Sequence, residues 1–438
     1  MTAGATDRRT DVDREIVLDI WHLSLGFARE TPAGVDRVDT NFAAHFLRSD
    51  VANRKALLLT PLGPRAVRVA AARRIFEAVQ NHWRETELPE ADSVLARVRD
   101  ALAGLAPSRR SPRNGFPGRA YQALRAGARA ALLHCATWRQ ITGIGSNAVY
   151  LNVSQYPLSA PSYFRWLRER PDVKPVFMIH DLLPIEYPEF FRPDSVKRHR
   201  RRLSVFAKIA AGAIVSTPEV ADALLASLER LGRKTIPLLV QPLPVSPTFH
   251  QPREHDEGLA ARPYFVICGT IEPRKNHLLL LNLWRELGRL LGPATPKLII
   301  VGARGWENEN ALDLLERCPG IRDHVIEAPG LSTPSLKRLI DNARAVLMPS
   351  FAEGYGLPVA EALTAGTPVL ASDLLSLRAM RGSAITWLDP LDGLGWLAAI
   401  RRLSEASAHW TRTEPVRPLS AFACETYFER VEAFLSTV

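Results

Sequence analysis

Cysteine is scarce, long apolar runs are missing, and one long stretch of the chain has no acidic residue. The four cysteines, Cys135, Cys268, Cys318 and Cys424, lie far apart. They fit neither a disulfide framework nor the paired spacing of a zinc site, so a reduced, cytoplasmic protein is expected. Apolar runs such as Leu278–Leu281 fall far short of the ~20 residues that cross a bilayer. The polar start MTAGATDRRTDVDRE lacks the apolar centre of a secretory leader. From Ala101 to Arg168 there is no Asp or Glu, yet there are nine arginines.

What is present is globular in composition. The chain has 438 residues, 46% of them hydrophobic and 23% charged, which excludes wholesale disorder and exceeds one ordinary core. Lys and Arg number 56 against 46 Asp and Glu, leaving a net charge of +10. That excess favours anionic partners: phosphorylated small molecules, an anionic membrane surface or nucleic acid. A second basic cluster runs from Lys197 to Arg202. With no zinc-finger spacing, aromatic RNA-binding strand or basic zipper, no nucleic-acid partner is expected.

Strands and helices alternate along most of the chain. Strand patterns fall at Glu15–Ile20, Lys55–Thr60, Ala148–Val153, Lys174–His180, Ala213–Ser216 and Thr235–Val240. After a proline-rich and charged stretch they resume at Tyr264–Cys268, Lys297–Val301, Val325–Ala328, Ala345–Met348 and Val369–Ala371. Such alternation predicts parallel sheets. The expected fold class is α/β, with two doubly wound Rossmann-like domains facing each other across a cleft. The first spans 1–245, with a basic insertion, mostly helical in pattern, at about 65–145 that includes a loop at Pro107–Gly118. A linker at 246–262 leads to a second domain at 263–415. A C-terminal helix within 416–438 is expected to pack back on the first domain.

The chemistry concentrates in two loops. Gly269-Thr-Ile-Glu-Pro-Arg-Lys-Asn276 follows a strand and precedes a helix that Asn276 is expected to cap. A helix N-terminus attracts phosphate, and Arg274 and Lys275 add two formal positive charges there. The second loop is Ser350-Phe-Ala-Glu-Gly-Tyr-Gly356, followed by Leu-Pro-Val-Ala-Glu361 and closed by Gly366. Pro358 suits the first helical position, and Gly354 and Gly356 permit close backbone approach to a ligand. Glu353 then sits at the helix mouth and Glu361 about one turn inside. A carboxylate only accepts hydrogen bonds, which suits sugar hydroxyls. His180 ends an apolar strand, where it could bond a sugar hydroxyl, act as acid or base, or be structural. Gly302 could let the backbone pass close to a nucleobase or simply form a turn.

Glu353 and Glu361, eight residues apart, together with Gly269–His277, resemble the family 4 retaining glycosyltransferases of the GT-B fold. The closest likeness is to bacterial O-antigen mannosyltransferase-type polysaccharide enzymes. Pro32–Val38, Val176–Pro188 and Ala213–Pro218 fit the same group. One departure is that many relatives carry an arginine soon after the glycine that opens this loop, whereas here Thr270 follows Gly269. The resemblance implies a hexosyltransferase, with mannose favoured, that moves sugar from a nucleotide diphosphate to a surface polysaccharide or lipid-linked oligosaccharide. Arg274 and Lys275 would bind the diphosphate, with the amides of Gly356 and Leu357 and the nearby Gly269 and Gly34. Glu353 would contact the donor sugar, Glu361 would hold the ribose, and His180 would line the cleft. No metal and no cofactor are expected; the GDP- or UDP-linked donor is a substrate. The basic tracts near 109–129 and 197–202 suggest peripheral attachment to the cytoplasmic face of the inner membrane. A GT-B sugar-nucleotide epimerase and a non-catalytic sugar-nucleotide binding module remain as alternatives.

Overall fold

The computed structural model describes residues 14–29, 31–48, 53–60, 63–85, 87–105, 143–380, 384–405 and 423–438. Two sheets organise it. The first contains β1 (Ile16–Asp19), β2 (Arg54–Thr60), β3 (Gly63–Val67), β4 (Val149–Asn152), β5 (Lys174–Ile179), β6 (Gly212–Val215) and β7 (Leu238–Val240). Its order is β3-β2-β1-β4-β5-β6-β7, parallel throughout except for β3. The second contains β8 (Tyr264–Cys268), β9 (Lys297–Val301), β10 (Val325–Glu327), β11 (Ala345–Met348), β12 (Val369–Ser372) and β13 (Ile385–Leu388). Its order is β10-β9-β8-β11-β12-β13, all parallel.

Helices cover both faces of a parallel sheet, so its strands read as unbroken apolar runs rather than alternating ones. β8 (YFVIC) and β11 (AVLM) are buried along their whole length. The helix His277–Leu291 lays Leu280, Leu281, Leu283, Trp284 and Leu287 on the second sheet. The Trp284 indole donates to the Pro296 carbonyl at 2.8 Å and meets the Phe265 ring edge-on at 5.8 Å.

Two segments depart from the sequence reading. The stretch from Arg65, read as helical, opens as an edge strand, with β3 antiparallel to β2 and Leu58 opposite Arg65. Pro64 has no N–H to give a ladder, and an edge tolerates that. Helices follow at Val69–His82 and Ser93–Leu102. β13 is a further, half-buried edge strand whose mixed pattern (ITWL) carries little signal. The Pro107–Gly118 loop and the arginine tract at 109–129 lie outside the described residues.

Both sheets reverse direction beside their first strand. β1 lies between β2 and β4, and β8 lies between β9 and β11. The connections leave in opposite directions at each of these points, which opens a crevice at the strands' carboxyl ends. The two units are tied together by polar contacts. The Tyr355 hydroxyl donates to the Leu243 carbonyl at 3.0 Å, the Ser332 amide to Asp92 at 3.0 Å, and Arg99 pairs with Asp256 at 2.5 Å. The helix Cys424–Thr437 returns to the first unit, where Phe428 meets Phe42 edge-on at 5.1 Å and stacks on His45 at 4.1 Å.

Candidate active site

The two chemically loaded loops leave β8 and β11, the neighbouring strands that flank the second sheet's reversal point. Gly269 leaves β8 with φ +140°, a conformation side chains rarely adopt, and a Cβ there would sit 3.1 Å from Lys275 Cε. The turn Pro273–Lys275 follows. Asn276, expected to cap the next helix, instead has φ +54° and donates its side-chain amide to the Pro390 carbonyl at 3.1 Å. It fixes the loop to the segment just after β13 rather than satisfying the helix amides.

Glu353 joins the two loops. Its Oε2 accepts from Arg274 Nη1 at 2.9 Å, and its Oε1 accepts from Lys275 Nζ at 2.6 Å and from the Ser350 hydroxyl at 2.6 Å. Arg274 also pairs with Glu272 at 2.7 Å and donates to the Ala352 carbonyl at 3.1 Å, while the Phe351 amide donates to the Arg274 carbonyl at 2.8 Å. Lys275, Glu272 and Glu353 are all buried. Burial alone would raise the Glu353 carboxyl; Arg274 and Lys275 overcome it and hold the group down at about 2. Burial pushes the Lys275 ammonium down, with Glu353 opposing.

The second loop also reaches the first unit. A Cβ on Gly354 would lie 2.8 Å from the His180 carbonyl oxygen and 2.7 Å from Asp181 Cβ, so this glycine lets the two domains meet. Phe351 stacks on Phe190 with centroids 5.6 Å apart. Gly356 has φ +85°, and a Cβ there would strike Leu377 at 2.3 Å. The helix Leu357–Thr364 starts one residue earlier than expected, which puts Pro358 in its second position. Gly366, with φ +71°, follows its end.

Glu361 lies inside that helix, 1% exposed, and pairs with Arg37 from the helix Gly34–Phe46 of the first unit. Its second oxygen is buried and unpartnered. Burial raises its carboxyl, and Arg37 opposes the rise. Beside Gly34 nothing lies within 4 Å of a built Cβ, so that helix start borders open space. At Gly302 a Cβ would sit 1.9 Å from the Gly269 carbonyl oxygen; its closeness serves the protein's own loop. The half-buried His180 donates from Nε2 to the Val153 carbonyl at 2.7 Å, and burial pushes its imidazole down, towards neutrality.

Thus Arg274, Lys275, Glu353, Gly269 and Gly302 converge, and Gly356, Leu357 and Glu361 continue the same edge. Sequence reasoning did not single out Glu272 and Ser350, which complete the Glu353 network, or Arg37, which meets Glu361. Arg37 lay within a segment already marked by resemblance. Among the described residues, no group of three or more His, Cys, Asp or Glu could hold a metal ion.

Two doubly wound units meeting at their carboxyl edges, with a cationic loop and a helix mouth on one of them, define a GT-B protein. Residues 251–386 match the family described as glycosyl transferases group 1. Over 151 residues the chain is 38% identical to O-antigen chain mannosyltransferase B of Escherichia coli, covering 34% of this chain and 39% of that protein. It is 28% identical over 214 residues to the serotype-specific mannosyltransferase WbdA of Escherichia coli, covering 45% and 26%. The chain thus spans less than half the length of these relatives. Among solved structures, Anabaena Alr3699/HepE in complex with UDP and glucose superposes with a TM-score of 0.59 at 13% identity, over 97% of this chain and 100% of that one. Sucrose-phosphate synthase from Thermosynechococcus elongatus gives 0.54 at 17% identity, over 96% and 95%. The chain has the GT-B fold, its residues 251–386 match glycosyl transferases group 1, and it is similar to O-antigen mannosyltransferases.

Proposed function

We propose that the protein is a hexosyltransferase that moves mannose from GDP-mannose to a saccharide acceptor in surface polysaccharide assembly, with retention and without a metal. One observation carries the reading: Arg274 and Lys275 are gathered by Glu353 beside a helix mouth at the second sheet's reversal point. A departing nucleoside diphosphate gains negative charge, and cations already in place stabilise that charge without reorganising. Glu353 fixes both cations, and its carboxylate stays ionised to accept from a sugar hydroxyl. The free oxygen of Glu361 supports a ribose-binding role, since a desolvated acceptor lacks only a donor. The choice of mannose and of the guanine nucleotide rests on what the relatives are called.

The acceptor would approach from the first unit. The exposed Lys197, Arg198, Arg200 and Arg201 on the helix Pro193–Ile209 support attachment to an anionic membrane surface, where lipid-linked saccharides are found. Among the described residues no helix is long and apolar enough to cross a membrane.

A thermal-shift and turnover screen of GDP-, UDP-, dTDP- and ADP-sugars tests the proposal. GDP-mannose should raise the melting temperature by mass action and release GDP, and Lys275→Ala should abolish both. If no sugar nucleotide shifts melting or turns over, the reading is wrong.

A further inference from the structure

The ion pair that joins the two units inside the candidate site is only half used. Arg37 Nη1 donates to Glu361 Oε1, and among the described residues neither charged group makes another hydrogen bond. Arg37 Nε and Glu361 Oε2 are both buried and without a partner. Two other pairs in the protein show a saturated contact. Arg304 grips Glu327 through Nε and Nη2, each 2.9 Å from a carboxylate oxygen, and Arg170 grips Asp172 at 2.9 and 2.7 Å. Those forks are partly exposed, so water could stand in for a lost contact. An idle donor and an idle acceptor cost most where water is excluded, yet the buried pair is the one left open.

The pair stands beside the cationic loop. Glu361 lies on the helix whose mouth is formed by Gly356 and Leu357. Arg37 lies one turn after Gly34, on the same face of a helix whose start borders open space. Burial pushes the Cys268 thiol, at the end of β8, up to about 12; Glu361 adds to the rise, while Arg37 and Lys275 oppose it. The three charges therefore share the strand end from which Gly269 leaves. A guanidinium only donates and a carboxylate only accepts, whereas a hydroxyl does both. Two adjacent hydroxyls can fill both idle positions at once.

We propose that Arg37 is a donor-binding residue supplied by the first unit: its Nε donates to the ribose diol of the nucleotide while that diol donates to Glu361 Oε2. The inference rests on the transferase reading above and extends it, because holding the nucleotide then requires both units. The two idle atoms are covered while the units are docked on each other. The ribose therefore enters with Arg37 drawn back from Glu361, and the units close on it. Nucleotide binding and the docking of the helix Gly34–Phe46 are thereby one event.

The test compares the affinities of GDP and of dideoxy-GDP, which lacks both ribose hydroxyls, for wild type and Arg37→Lys; UDP and its dideoxy analogue replace them if GDP does not bind. Wild type should bind GDP about tenfold tighter or more. Arg37→Lys keeps a charge opposite Glu361 but has no N–H along its stem, so that preference should shrink by about threefold or more. A purely structural Arg37 would weaken both nucleotides alike. If Arg37→Lys fails to fold, amide hydrogen exchange in wild type decides. Exchange across Gly34–Phe46 should slow with saturating GDP and much less with saturating dideoxy-GDP. An unchanged preference in folded Arg37→Lys, or equal slowing by both nucleotides, overturns the Arg37 assignment while leaving the transferase standing. So does a protein that binds dTDP alone, whose deoxyribose has no diol. A wild type that binds no nucleoside diphosphate removes the transferase reading, and this inference with it.

Discussion

Replacing Glu353 by Gln removes one charge from a site that holds two cations, the buried Lys275 and the half-buried Arg274. The native carboxyl lies at about 2 against an ordinary 4.5. That difference corresponds to about 3 kcal/mol of favourable interaction with the ionised form. Breaking a buried pair by deleting one partner costs about 3–5 kcal/mol, because the other charge is left uncompensated. Glu353→Gln should therefore lower stability by about 3 kcal/mol at pH 7, read by urea denaturation. Lys275→Met should also destabilise, and the double variant should lose less than the sum of the two, by more than about 1 kcal/mol. The pH dependence has a definite sign. A carboxyl depressed in the native state gives stability that is present above its unfolded value and is lost as pH falls towards about 2. The gap between wild type and Glu353→Gln should hold above pH ~5 and close below it. Binding should separate from chemistry, because cations released from Glu353 are free for phosphate. GDP should bind Glu353→Gln at least as tightly as wild type while transfer collapses. A variant within about 1 kcal/mol of wild type, or single effects that simply add, would refute the reasoning.

Two further outcomes are expected. Gly302→Ala places a methyl 1.9 Å from the Gly269 carbonyl oxygen, so it should cost at least about 1–3 kcal/mol and weaken donor binding; unchanged melting and donor affinity would contradict the contact. Arg37→Met strands Glu361 in a dry setting and should destabilise by about 3 kcal/mol, with Glu361→Gln on top restoring part of the loss in the same denaturation assay.

The parts legible from sequence were those in which local order carries the signal. Unbroken apolar runs such as Tyr264–Cys268 and Ala345–Met348 are strands, since a parallel sheet buries both faces. Arg274, Lys275 and Glu353 stood out because each lies in a loop between a strand and a helix. β3 was missed because five residues opening on Gly63 and Pro64 give no periodicity. The pair Arg37–Glu361 was hidden for a different reason. It joins residues brought together only by folding, and it spans the two halves of the chain. Asn276 misled because its type suits a helix cap, whereas tertiary contact with Pro390 decided its conformation.

The guanidinium that crosses from residue 37 to residue 361 has a consequence for engineering. Exchanging halves between related two-unit proteins is an obvious engineering route. Here a foreign front half without an arginine at this register would leave an orphaned, buried carboxylate in the back half. Hybrids should therefore carry residues 37 and 361 as one inherited unit, whichever parent supplies the remainder.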